Sequence, residues 1–86
     1  MRSTILLYIG KDTLVPKKDI IMILDYKEAL NNDDTNKFLN KLNSEAHSFY
    51  IEEYGIKSII ISKFLEKYFI YYSPISSATL LKRSKS

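Results

Sequence analysis

Four short runs of apolar, β-prone residues constrain the fold of this chain more than any other feature. They are residues 4–9, DIIMILD at 19–25, IKSIIIS at 56–62 and YFIYYS at 68–73. Runs of this length that are rich in isoleucine and tyrosine and end at turn-forming or charged residues are typical of β-strands. Gly10-Lys11-Asp12 predicts a turn, and Leu14-Val15 begins another extended piece that Pro16 breaks. We therefore expect a small β-sheet.

One segment has helical periodicity instead. In NNDDTNKFLNKLNSEA, residues 31–46, one side of a helix would carry Phe38, Leu39, Leu42 and Ala46. Residues 31–34 include good N-cap side chains, and acidic residues in a first turn suit the positive end of a helix dipole. The pattern predicts one amphipathic helix over about residues 34–46. We expect the core to be built from Phe38, Leu39, Leu42 and the isoleucines of DIIMILD and SIIIS.

The C-terminal stretch predicts a strand, a corner and a short helix. Ser73-Pro74 cannot continue a strand ladder because proline lacks the amide donor. With Ser76 as the N-cap, Ile75 and Leu80 occupy the two positions of a hydrophobic staple, which predicts a helix over about residues 77–83. The fold class that follows is α+β: a small, mainly antiparallel β-sheet with one amphipathic helix packed on one face and a short C-terminal helix.

Both faces of the predicted strands are apolar, although alternate residues of a strand point to opposite sides. One helix can shield only one face. We predict that the apolar surface left uncovered forms an oligomer interface, because soluble monomers rarely expose apolar patches of several hundred Å². The alternative is that Tyr8, Tyr72 and the C-terminal helix close the second face within one chain.

Size and composition limit the class of protein. The chain has 86 residues and no cysteine, so we expect a single domain over residues 1–86, with residues 82–86 as a basic tail, and no disulfide or thiolate chemistry. The absence of cysteine suits a reducing compartment, and we expect the cytoplasm. No apolar run is long enough to cross a bilayer, so no membrane partner is expected.

The sequence offers little to catalysis. His47 is the only histidine, and a single histidine is more often a surface or capping residue than a base or metal ligand. Asp33-Asp34 and Glu52-Glu53 are sequence neighbours whose side chains diverge, and the two glycines are too far apart for a phosphate-binding loop. We therefore expect no catalytic residue, no cofactor and no metal: the protein is predicted not to be an enzyme.

Charge points to a different kind of partner. The formal net charge is +3, and Lys82, Arg83 and Lys85 account for that excess, so the rest of the chain is balanced. Lys17 and Lys18 follow a proline corner, and Lys57 follows Gly55 at the entrance of a strand, where a rigid scaffold can present a cation to phosphate. The other interpretation is that these lysines are solvated strand ends and that the terminus is a solubilising tail. Seven tyrosines also allow base stacking, although tyrosines in apolar strands more often fill cores and interfaces.

Two stretches together resemble a known family. YIGKDTLVPKKDIIMILDY, residues 8–26, and IYYSPISSATLLKR, residues 70–83, are similar to the signatures of the small bacterial extracellular matrix regulators of the RemA/RemB family, in particular its RemB branch. The resemblance covers nearly the whole chain. It implies a small cytoplasmic DNA-associated regulator of biofilm matrix genes and a compact α/β unit that assembles into rings. RemA-type proteins carry arginines where this chain has Asp19 and Lys57, so we expect salt-sensitive lysine contacts with phosphate.

Two binding functions follow as alternatives. The first is a DNA-binding transcriptional regulator that contacts the phosphate backbone of double-stranded DNA as a homo-oligomer. The second is a protein-interaction module that self-associates or binds a RemA-type protein without touching DNA. The residues predicted to contact phosphate are Lys17, Lys18, Lys57, Lys82 and Arg83. If the first three fall on one rim of a ring, every subunit repeats them around the assembly.

Overall fold

The computed structural model describes residues 5–85. Its six strands are β1 (Leu6–Gly10), β2 (Thr13–Pro16), β3 (Ile20–Asp25), β4 (His47–Tyr50), β5 (Ser58–Phe64) and β6 (Lys67–Ser73). Its three helices are α1 (Tyr26–Asn31), α2 (Asp33–Asn43) and α3 (Ser77–Ser84), and a single 3-10 turn, Lys17–Asp19, connects β2 to β3. The predicted α+β class is confirmed.

The strands form two sheets. β1 and β2 make an antiparallel hairpin, and the other four strands form a sheet in the order β3-β5-β6-β4. Neighbours in this sheet are antiparallel except β4 and β6, which run parallel. The sheet is therefore mainly antiparallel, as predicted, with β3 and β4 at its two edges.

Each face of the four-stranded sheet has its own core. On one face, Ile59, Ile61 and Ile70 pack with Leu39 and Leu42 of α2. On the other face, Ile60 packs with Leu80 of α3 and with three residues of the hairpin: Leu7, Ile9 and Val15. β5 is buried on both sides because it is a central strand with a layer over each face, so its isoleucines read as one continuous apolar run.

The second face is thus covered within the chain, and the C-terminal helix contributes through Leu80 as suggested, whereas Tyr8 and Tyr72 do not. Tyr8 is 42% exposed, and Tyr72 packs on the α2 face. The hairpin residues Leu7, Ile9 and Val15 cover the rest of this face. An oligomer interface elsewhere on the surface stays a prediction.

Two predicted core residues lie at the surface instead. Phe38 is 45% exposed and Ile21 is 50% exposed. Phe38 sits about 100° around the helix from the buried Leu39, and Ile21 lies on edge strand β3 where the pairing with β5 shifts between Ile20 and Met22. Apolar spacing alone did not distinguish the centre of a packed face from its margin.

Side-chain caps fix the helix starts. Asn32 accepts a hydrogen bond from the backbone N–H of Thr35 at 2.9 Å, within the range predicted for this cap. α1 was not predicted, although its cap is visible in the sequence: Asp25 accepts from the backbone N–H of Glu28 at 2.9 Å. An Asp followed three residues later by Glu is a variant of the capping box.

The strands extend beyond the predicted runs in places and fall short in others. β5 and β6 are joined by a two-residue turn, Leu65-Glu66, because Phe64 and Lys67 pair directly. β4 was also missed, since its four residues are exposed and carry no alternating pattern. The first strand begins at Leu6, and Thr4 lies outside the described residues.

Candidate nucleic-acid interface

Two basic segments far apart in sequence meet in the structure. Lys17, in the 3-10 turn, donates a hydrogen bond from Nζ to the backbone carbonyl of Arg83 at 2.8 Å. The backbone N–H of Lys17 also donates to the carbonyl of Ile5 at 2.9 Å, which anchors the turn to the hairpin. Because the last carbonyls of a helix have no partner within it and carry partial negative charge, Lys17 stabilises the end of α3.

The beginning of α3 is fixed equally firmly. Ser76 Oγ accepts from the backbone N–H of Thr79 at 3.2 Å and also bonds the Thr79 hydroxyl at 2.9 Å. Leu80 is fully buried in the core beneath the hairpin, and Ile75 packs against the same core. The predicted N-cap and staple residues therefore hold α3 against the sheet.

A buried joint precedes α3. Ser73 Oγ donates to the carbonyl of Ile9 at 2.7 Å and accepts from the backbone N–H of Ile75 at 3.0 Å. Ser58 Oγ donates to the carbonyl of Ile75 at 2.7 Å. Both serines are fully buried; the bond from Ser73 to Ile9 is buried, and the two bonds that involve the half-buried Ile75 are partly buried. The Ser-Pro corner thus ties β6, the hairpin and α3 together.

Arg83 lies along the hairpin. Its guanidinium carbon is 6.0 Å from the centre of the Tyr8 ring, and Nη1 donates to the Tyr8 carbonyl at 3.5 Å. The arginine is nevertheless exposed. These contacts orient its side chain, and an oriented cation loses less conformational entropy on binding an anion than a freely rotating one.

We call Lys17, Lys18, Lys82 and Arg83 the basic cluster. Lys18 and Lys82 are exposed neighbours of the contacting pair, and Lys82 and Arg83 form part of the last turn of α3 rather than a separate tail. Asp19 is the only acidic residue in the two segments. It borders a small open cleft together with Ser62 and Tyr71. The contact between Lys17 and Arg83 thus brings together two elements of the fold that carry four cations between them.

Lys57 does not belong to the basic cluster. Ile20, just after the 3-10 turn, pairs with Ser62, whereas Asp25 pairs with Ser58, which follows Lys57. Lys57 therefore lies at the opposite end of the β3–β5 ladder, roughly 16 Å away at about 3.3 Å for each residue. Within one chain Lys17, Lys18 and Lys57 do not share a rim.

The aromatic side chains pack on one another. His47 lies beyond the end of α2, at the start of β4, and its ring stacks on Phe69 with centres 5.4 Å apart. Phe49 stacks between Phe69 at 6.4 Å and Tyr71 at 5.4 Å, with interplanar angles of 17° and 20°. Such contacts are those expected of aromatic side chains that pack against one another across neighbouring strands.

The hydroxyl of Tyr71 has a raised pKa. Burial raises the pKa of its hydroxyl above the ordinary value, and the nearby carboxylate of Asp19 raises it further. A hydrogen bond with Ser62 opposes both effects. The pKa of Tyr50 is also raised, first by burial and then by Tyr72 and Tyr26.

The described residues hold neither a metal site nor a membrane span. Within residues 5–85, no three His, Asp or Glu side chains are grouped so that they could hold a metal ion. No helix in that part of the chain is long and apolar enough to cross a membrane. The comparisons with known proteins give no match: no family model, no curated protein and no solved structure is similar to the chain.

Proposed function

We propose that this protein is a small DNA-binding transcriptional regulator of the kind implied by the RemA/RemB resemblance, with a cytoplasmic role in biofilm matrix gene expression. In this role it is not an enzyme. It binds the phosphate backbone of duplex DNA through the basic cluster and acts as a homo-oligomer.

The observation that carries this function is the hydrogen bond from Lys17 Nζ to the Arg83 carbonyl at 2.8 Å. It joins two basic segments separated by 66 residues, which sequence alone leaves apart. Lys18, Lys82 and Arg83 stay exposed on this rigid support. Lysine acts on phosphate as a point charge, so the contacts position the protein without reading the base sequence.

Self-association supplies the affinity that one chain lacks. Non-specific DNA binding strengthens with the number of phosphates contacted, and one basic cluster reaches only a few. An oligomer repeats the cluster, so a duplex that engages two copies gains from multivalency.

A salt titration of DNA binding tests this function. Fluorescence anisotropy with a labelled duplex measures the affinity of the unaltered protein and of Lys18→Glu/Lys82→Glu at several salt concentrations. These two lysines are chosen because they are exposed, whereas Lys17 also supports α3. We expect weaker binding and a slope of log affinity against log salt that falls by about one for each phosphate that the variant no longer neutralises.

Lys27→Glu/Lys37→Glu is the matched control, because it makes the same charge change at exposed positions on α1 and α2. It should reduce binding much less. Equally weakened binding in both variants would show that affinity follows net charge rather than the basic cluster. No binding of any duplex by the unaltered protein at low salt would contradict the function itself.

The second candidate function is a protein-interaction module that binds itself or a RemA-type protein. The exposed Ile21, Met22 and Phe38 favour it, because they are apolar and line one cleft. Oligomer mass in the absence of DNA separates the two: a protein that assembles but never binds a duplex is an interaction module.

A further inference from the structure

The open edge of the sheet beside α2 carries a concave apolar surface. A cleft of about 330 Å³ lies between β3 and α2, and we call it the α2 cleft. Ile21 is 50% exposed and Phe38 is 45% exposed. The residues that line it are Ile21, Met22, Phe38, Lys41, Leu42, Glu45, Ile61 and Tyr68.

Two residues of opposite charge are among those that line the α2 cleft. Lys41 lies in the last turn of α2, and Glu45 lies in the turn that follows, where its backbone N–H donates to the carbonyl of Leu42 at 3.0 Å. Both side chains are exposed. Neither forms an ion pair in the part of the chain that the structure describes.

A surface with one positive and one negative group beside an apolar centre is self-complementary. A two-fold axis that passes between the two positions brings Lys41 of each copy to Glu45 of the other and places the two apolar surfaces in the same interface. The geometry points to a second copy of this chain as the occupant of the α2 cleft, in a two-fold pair.

The strand edges themselves do not drive this pairing. Antiparallel pairing of β3 with its own copy about Met22 would place Asp19, which directly precedes the strand, opposite Asp25 of the other copy. Like charges directly opposite each other destabilise a strand pair. The shift in pairing between Ile20 and Met22 also disrupts the edge of β3. The interface is therefore made by the side chains of the α2 cleft.

This inference rests on self-association, which the proposed function includes, and not on DNA binding. The α2 cleft shares Ile21 and Met22 with a second open surface that also includes Lys17. Pairing through the α2 cleft thus places two basic clusters in one particle.

Charge reversal tests the two-fold pair through molar mass, measured by size-exclusion chromatography with light scattering over a range of concentrations. Lys41→Glu and Glu45→Lys each convert two attractive charge pairs across the interface into two repulsive ones, so each should weaken association about tenfold. A one-to-one mixture of the two variants should recover the dimer mass, because every charge pair across the mixed dimer is again between opposite charges. The double variant Lys41→Glu/Glu45→Lys should recover it as well.

The controls separate this surface from others. Lys27→Glu reverses an exposed charge on α1 outside the cleft and should leave the mass unchanged. Phe38→Ser should dissociate the pair, whereas Phe49→Ser, which alters a phenylalanine that is 46% exposed on β4, should not. Thermal melts verify that each variant is folded.

A monomeric unaltered protein at micromolar concentration would overturn the inference, as would single variants with unchanged mass or a mixture that does not recover. A dimer that behaves as expected but never binds a duplex would support the α2 cleft and contradict only the DNA-binding function.

Discussion

Replacing Ser73 by alanine should be among the most damaging conservative changes in the chain. Its hydroxyl is fully buried and serves two partners, the Ile9 carbonyl and the Ile75 backbone N–H. Alanine keeps the packing of the β-carbon but leaves both partners without their hydrogen bond. The hairpin and the start of α3 are then no longer tied to β6 at this point.

The size of the effect follows from these two partners. A buried neutral hydrogen bond contributes about 0.5–1.5 kcal/mol, and a buried group left unsatisfied costs about 1–3 kcal/mol. Ile75 is only half-buried, so water relieves part of that cost. We expect a loss of about 2–4 kcal/mol in the free energy of unfolding, and a decrease in Tm on the order of 10–20 °C for a domain of this size.

Urea denaturation followed by circular dichroism measures the loss directly. Ser58→Ala removes one partly buried hydrogen bond, to the Ile75 carbonyl, and should cost about half as much. Ser77→Ala is the matched control, because Ser77 lies at the start of α3 and makes no side-chain hydrogen bond within the described residues. It should be nearly neutral. A Ser73→Ala protein within about 0.5 kcal/mol of the unaltered one would refute the view that this corner is a buried polar joint.

Two further predictions concern the β5–β6 turn and the tyrosines. Leu65 and Glu66 have φ values of 51° and 67°, which suit a turn of type I′ but disfavour side chains such as these. Leu65→Asn/Glu66→Gly should therefore raise the free energy of unfolding, measured by thermal melts, by about 1–2 kcal/mol. A lower Tm for this variant would show that the backbone of the turn is not strained. The raised pKa of Tyr71 means that ionisation of its hydroxyl disfavours the folded state. The stabilisation contributed by the neutral hydroxyl is therefore complete below pH 10 and is lost as the pH rises through the pKa of the folded state. Tyr71→Phe should weaken the alkaline fall in urea stability, and an unchanged pH profile would show that Tyr71 is not its source.

Much of the architecture can be predicted from residue patterns that extend over only a few positions of the sequence. The strand segments, the α2 cap at Asn32, the Ser76 cap and the Leu80 staple follow from residue type and spacing over a few positions. The α+β class follows from four apolar strand patterns and one helical pattern. Such features depend on neighbours within one turn or one strand pair, which a sequence places side by side.

Tertiary structure decided which apolar face each element buries and which charges meet. Phe38 and Leu39 are adjacent and both apolar, yet only Leu39 is buried, because the sheet contacts one side of α2. Lys17 and Arg83 lie 66 residues apart and are brought together by the packing of α3 on the hairpin side of the sheet. Lys57 resembles Lys17 in its local context but lies at the other end of the β3–β5 ladder. Strand order and register set these distances, and they depend on contacts between segments that no local pattern contains.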